Sequence, residues 1–247
     1  MPITDLGEAF RPRAGPRAAV MGRMRPTTVK DVVARMRAIA AEVPAGDGVG
    51  VFNGVYLRVT ETVLRRLSTG GFFSDDAFMA DLDVRFADLW FEAYDATGKV
   101  PRAWAPLFEA RSRRGVLPIQ FALAGANSHI EHDLPLAVVR TCAAHGRTPT
   151  SPGVREDYEK VNDLLADVEA EIRRSFFTDV ERAVDDHLAP VAHLVNSWNI
   201  DKARDVAWVN VQTLWELQRV DFLFDAYTAG LAGTVGMGSR LLLASLT

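Results

Sequence analysis

Phe121-Ala-Leu-Ala-Gly-Ala-Asn127-Ser-His129-Ile-Glu131-His132-Asp133-Leu-Pro135-Leu-Ala-Val-Val139 decides how this chain is read. The stretch is apolar enough for a buried helix, yet it carries Asn127, His129, Glu131, His132 and Asp133 within seven positions. Burying two imidazoles and two carboxylates costs on the order of several kcal/mol unless each finds a partner or a metal. Pro135 must also kink the helix, because proline lacks the N–H that would bond to residue 131 and its ring clashes with that carbonyl. We therefore take this segment as the chemical centre.

Working outward, apolar residues recur at helical spacing almost everywhere, and almost nothing alternates with a period of two. Thr27 or Thr28 caps a helix running to about Val43, with Val29, Val32, Val33, Met36 and Ile39 on one face. Pro44 to Gly48 is a turn, and a second helix runs from about 49 to 68 with Phe52, Tyr56, Val59 and Val63 inward. Ser74 is read as the cap of a third, about 75 to 96, and a short helix follows around 102 to 113. The central helix spans about 117 to 145. Beyond it come a helix over about 154 to 175, shorter pieces from 177 to 199 broken at Pro190, and a long helix over 201 to 228 capped by Asp201. Trp208, Val211, Trp215 and Phe222 form the inner face of that last helix, and Gly230 to Gly238 is a glycine-rich tail. The expected fold is all-α: one domain over 27–247, a bundle of about seven to nine helices around a Pro-kinked centre, preceded by a flexible, Arg- and Pro-rich arm over 1–26.

Composition narrows the function. The chain has 247 residues, 48% of them hydrophobic and 24% charged, which is ordinary for a soluble globular protein. A net charge of −4 argues against a nucleic-acid binder. No apolar run is long enough to span a membrane, no secretory leader is evident, and the single Cys142 allows no internal disulfide. A cytoplasmic protein is expected.

His129 and Asp133, four apart, face one side of a helix. The spacing suits an imidazole held by a carboxylate for proton transfer, or two ligands to a divalent ion such as zinc or iron completed by Glu131, His132, Asp83, His187 or His193. It also suits plain structure, with Asp133 capping the half-helix that restarts at Pro135 and His129 bonded to a freed carbonyl. Asp83 stands where leucine is expected, on a face with Phe86 and Trp90. Asn53, Thr60, Tyr158, Arg204 and Gln218 also interrupt apolar faces, and together they suggest a polar-lined cavity inside the bundle. Phe52, Tyr56, Phe86, Trp90, Tyr94, Trp104 and Phe108 are candidates for its walls. His132-Asp133 matches the bare dyad of helical phosphohydrolases, but that pattern needs an earlier histidine and none precedes His129. There is no Gly-x-Ser-x-Gly elbow, and Gly233 to Gly238 follows no strand, so nucleophile-elbow and dinucleotide-loop readings fail.

Several segments resemble a family of uncharacterised all-helical proteins common in actinobacteria, a domain of unknown function. They are Phe52 to Thr60, Leu82 to Ala87, Ala103 to Phe108, Gln120 to Pro135 and Asp157 to Asn162. The signature of the resemblance is Asn-x-His-x-x-x-Asp-Leu-Pro, matched by Asn127, His129, Asp133, Leu134 and Pro135. Glu131 and His132 depart from the pair usual there, Asn then Arg, which leaves His129 and Asp133 as the better candidates. The resemblance implies no activity. From the residues we expect a small-molecule enzyme with His129, Asp133 and Asp83 catalytic, and with Asn53, Tyr56, Phe86, Trp90, Asn127, Tyr158 and Arg204 against a largely apolar metabolite. Hydrolysis, elimination or cyclisation are the reactions such a centre suits. The alternative is a binding or structural protein whose polar centre only specifies the fold.

Overall fold

In the computed structural model, residues 25–165 and 198–244 are described; the expected arm up to residue 24, the Pro190 break, His187 and His193 lie outside them. The described residues are helical and contain no strand. The helices are α1 (Val29–Glu42), α2 (Gly48–Thr69), α3 (Asp76–Tyr94), α4 (Ala105–Ala110), α5 (Pro118–Ser128), α6 (Leu134–Ala144), α7 (154–165), α8 (Ile200–Leu217) and α9 (Asp221–Leu242).

Local chemistry sets the helix starts. Thr28 and Asp31 form a reciprocal capping box on α1, and Asp47 caps α2 through Val49 N–H and Gly50 N–H. The cap of α3 is Asp75, which accepts from Phe78 N–H, rather than Ser74. Ser74 N–H and Asp75 N–H instead donate to the buried carboxylate of Asp157, which pins α7 to the start of α3. Likewise Asn199, not Asp201, caps α8 by accepting from Lys202 N–H.

The C-terminal third departs most from expectation. The single helix expected over 201 to 228 is two helices, with a turn at residues 218 to 220, and Phe222 lies outward at 71% exposure. The glycine-rich tail is the body of α9. Gly236 is there for close packing, since a Cβ on it would stand 2.5 Å from the Arg102 carbonyl oxygen, and Gly238 lies against Asn127. A helix that must touch backbone gives up about 1 kcal/mol of propensity per glycine to do so.

The α5–α6 rod is the axis of the bundle. Its first half packs against α2 and α9, its second against α3 and α8. Two apolar clusters result, one around Phe52, Trp90, Trp104 and Phe121, the other around Phe78, Val138, Trp208 and Leu214. Between the halves His129–Asp133 forms a π turn, in which Leu134 N–H reaches back five residues to the His129 carbonyl. The interruption expected at Pro135 takes this form. The wider turn gives the proline ring its room at the start of α6 and places the polar residues at the seam between the two clusters.

Candidate functional site

Asp133 is the hub of the seam. It is 1% exposed. Its Oδ2 faces His129 Nδ1 at 3.0 Å and accepts from Trp104 Nε1–H at 2.9 Å, while Oδ1 faces His132 Nδ1 at 2.7 Å. Burial pushes the Asp133 carboxyl up, but the hydrogen bonds from His129 and His132 outweigh it and hold the group below the usual carboxylate range. An ionised carboxylate only accepts, so both imidazoles carry their proton on Nδ1. Asp133 makes no side-chain cap to α6, so the capping alternative does not describe it.

His129 is thereby fixed in one tautomer, with Nε2 as its lone-pair face. The ring is 3% exposed and stacks on Phe86 at 3.5 Å between centroids and 6° between planes. Tyr56 packs edge-on at 4.3 Å. Burial lowers the His129 pKa more than Asp133 raises it, so the ring is neutral at pH 7. Nε2 is buried and has no hydrogen-bond partner. The residue lines a partly open cavity of about 150 Å³ walled, among the described residues, by α2, α3, α5, the π turn, α7 and the start of α8.

Among the described residues that lining is mostly aliphatic and aromatic, with few polar groups. Four of those polar groups carry a buried atom without a partner: His129 Nε2, Tyr56 Oη, Asp83 Oδ2 and Trp198 Nε1. Native interiors pair nearly all such atoms, so four around one cavity point to a ligand or ordered water rather than to packing. Burial raises the Asp83 carboxyl to about 7. It raises the Tyr56 phenol well above its usual value too, helped by the Asp83 and Asp133 charges. Tyr56 therefore stays a neutral donor.

The expected site residues divide. Tyr56, Asp83, Phe86, His129, Tyr158 and Arg204 line the cavity, with Asp133 behind His129. Asn53, Trp90 and Asn127 stand elsewhere. Asn53 donates to the Met36 carbonyl and accepts from Trp90 Nε1–H, which closes α2 onto α1 and α3. Asn127 donates to the Val235 carbonyl and Ser239 Oγ on α9. Thr60 bonds its own helix at the Tyr56 carbonyl. Of the expected aromatic walls, Phe52, Tyr56 and Phe86 line the space, whereas Trp90, Tyr94, Trp104 and Phe108 do not. Trp104 acts instead through its indole N–H on Asp133. That contact spans 29 positions, and no local spacing announces it. Trp198 was also missed; only its place just before the Asn199 cap hints that it faces inward.

Both Asp133 oxygens are taken up by N–H donors, so His129 and Asp133 do not converge on one metal ion here. Among the described residues no three His, Cys, Asp or Glu side chains gather as a ligand set. Cys142 is buried in the α6 core and its thiol is raised to about 11 by burial, which makes it a poor nucleophile. Among the described residues, no helix is long and apolar enough to cross a membrane.

Fold and site together define an all-helical protein in which a carboxylate-held histidine lines a partly open apolar cavity. Residues 29–245 match the DUF5995 family, a family of unknown function, and the chain belongs to it. No curated protein and no solved structure matches the chain.

Proposed function

We propose that this protein is a cytoplasmic small-molecule enzyme in which His129 acts as a general base on a largely apolar substrate held in the cavity. One observation carries the reading. His129 Nδ1 faces Asp133, while Nε2 is buried and unpartnered in a residue that lines an apolar space. A neutral imidazole whose far nitrogen is locked by a carboxylate is the arrangement that takes a proton and is then stabilised as imidazolium. Asp133 is the positioning residue, and His132 and Trp104 hold it ionised in turn. Asp83, with its carboxyl raised to about 7, supplies the second proton carrier in the same cavity. Among the described residues no serine or cysteine lines the space, so the base acts on a water or on the substrate itself. Hydrolysis, elimination and cyclisation all fit that chemistry.

The test is turnover of a small-molecule library. Wild type, His129→Gln and Asp133→Asn are incubated with several hundred metabolites, and loss of each compound is followed by mass spectrometry. Compounds consumed by wild type and spared by both variants are expected, with rates differing about 100-fold or more. Compounds bound but never consumed would leave a binding protein. Near-stoichiometric zinc or iron in the purified protein, lost in His129→Gln, would instead make Nε2 a metal ligand.

A further inference from the structure

Arg204 is the cavity-lining residue that proton transfer does not explain. It is 4% exposed and lies one turn into α8. Its Nε–H donates to Asn162 Oδ1 and its Nη2 to the Tyr158 carbonyl, and the guanidinium lies 4.1 Å over the Tyr158 ring. These partners are neutral. Among the described residues no carboxylate lies within ion-pair distance of it. Asp201 and Asp205, on the same helix, are exposed and act only from farther off, and Asp205 lies 3.7 Å from Arg155. A buried cation without a counter-ion is costly, and protein interiors rarely keep one. Nη1 makes no hydrogen bond among the described residues. Trp198 Nε1, from the other side of the Asn199 cap, is a second buried donor on the same cavity with nothing to donate to.

We infer that the cavity binds a small apolar carboxylate, its anionic end on Arg204 with Trp198 Nε1 as second donor, and its apolar body reaching towards His129. This deepens the enzyme reading above and rests on it for the role of His129, but not for the binding itself. The size of the space limits the body. A partly open cavity of about 150 Å³ takes a body of roughly one ring or a short alkyl chain. The lining of Val55, Val59, Met79 and Leu82 offers such a body no polar partner. The charge limits the head. Arg204 is the one Arg or Lys of the described lining, and Asp83 shares the space, so a single negative charge is matched and a phosphate dianion is not. A carboxylate anchored at the start of α8 leaves its own carbon chain, not its head, to meet the base.

The probes are octanoate, 4-phenylbutyrate, 1-octanol, octylamine and octyl phosphate, titrated calorimetrically into the full chain as wild type, Arg204→Gln and His129→Gln. The expected result is that wild type binds the two carboxylates at least about 10-fold more tightly than 1-octanol. That preference should collapse in Arg204→Gln and survive in His129→Gln. Octanol binding as tightly as octanoate to wild type overturns the inference without any variant having to fold. Tighter binding of octylamine or octyl phosphate overturns it too, as does a preference that persists in folded Arg204→Gln. Turnover is not read, so a catalytically inert cavity that prefers carboxylates would sink the enzyme reading and leave this one standing.

Discussion

Asn127 and His129 stand two residues apart on one buried rod and meet opposite fates. Asn127 and Ser128 face α9 and form a closed seam. Ser128 Oγ lies 2.7 Å from the Ala103 carbonyl oxygen, 3.1 Å from that of Ala124 and 3.0 Å from Ser239 Oγ, and Asn127 completes the set on Val235 and Ser239. His129 faces α2 and α3, and there Nε2, Tyr56 Oη and Asp83 Oδ2 go without partners. His129 and Tyr56 are as deeply buried as Asn127 and Ser128, and Asp83 is half-buried. What differs is satisfaction, and a fold gains nothing from leaving polar atoms unpaired. The seam is a closed network, while the cavity side leaves donors and acceptors open for the ligand proposed above.

Breaking the hub should have the largest effect. Asp133→Ala leaves two buried imidazoles and the Trp104 N–H without an acceptor, and should cost about 3–5 kcal/mol in denaturant unfolding. A loss below about 1 kcal/mol would mean that water replaces the carboxylate and that Asp133 is no hub. Asn127→Ala comes next, at about 1–2 kcal/mol, because the seam loses two bonds while its other members keep theirs. It should leave octanoate binding within about twofold of wild type. A large drop in affinity with stability intact would show that the seam and the cavity are one site.

The contrast between the two sides was only half legible in the sequence. Helical period says which face a residue occupies, and it placed Asn53, Asn127, Tyr56 and Asp83 inward correctly. It does not say what waits on that face. Asn127 looked like a cavity residue because its partners on α9 lie 108 and 112 positions away, in a glycine run that reads as a tail until the close approach to Arg102 and Asn127 is seen. The turn at 218 to 220 was missed because Gln218-Arg219-Val220 holds neither glycine nor proline. Pro135 was a reliable signal, yet the π turn that absorbs it is not written locally. Neither is the meeting of His132 with Asp133, since adjacent helical residues do not normally face one another.

A titration sharpens the comparison with a smaller effect. Asp83 is half-buried and its carboxyl is raised to about 7 by burial, so the folded protein holds a proton that the unfolded chain releases near pH 4. Stability from this group is present below pH 4 and lost as the pH rises to about 7. His129, lowered by burial, works in the opposite sense: the unfolded chain takes up its proton first, so stability from it is lost as pH falls through the unfolded value near 6.5. The two partly cancel in wild type, and the difference from Asp83→Asn isolates the carboxylate. That variant should match wild type at pH 4 and exceed it by on the order of 1–2 kcal/mol at pH 8, a figure reduced for partial exposure. Equal stability at both pH values would mean that Asp83 is solvated and no part of a dry site.

Tyr56→Phe separates the two sides with the smallest change of all, one oxygen. The hydroxyl is buried among Phe52, Phe86 and His129, with the Thr60 side chain near by, and no partner stands at hydrogen-bond distance. Removing a polar atom from a paired network, as at Asn127, must cost stability. Removing one that has no partner gives back its desolvation penalty, so Tyr56→Phe should leave stability unchanged or raise it by up to about 1 kcal/mol. The same variant should consume a substrate, or bind an analogue with a polar group opposite His129, several-fold less well if the proposed ligand uses the lost donor. A stability loss of more than about 1 kcal/mol would show that the hydroxyl is held by the protein itself. The cavity side would then be as closed as the seam, and the unpaired atoms around His129 would no longer point to a ligand.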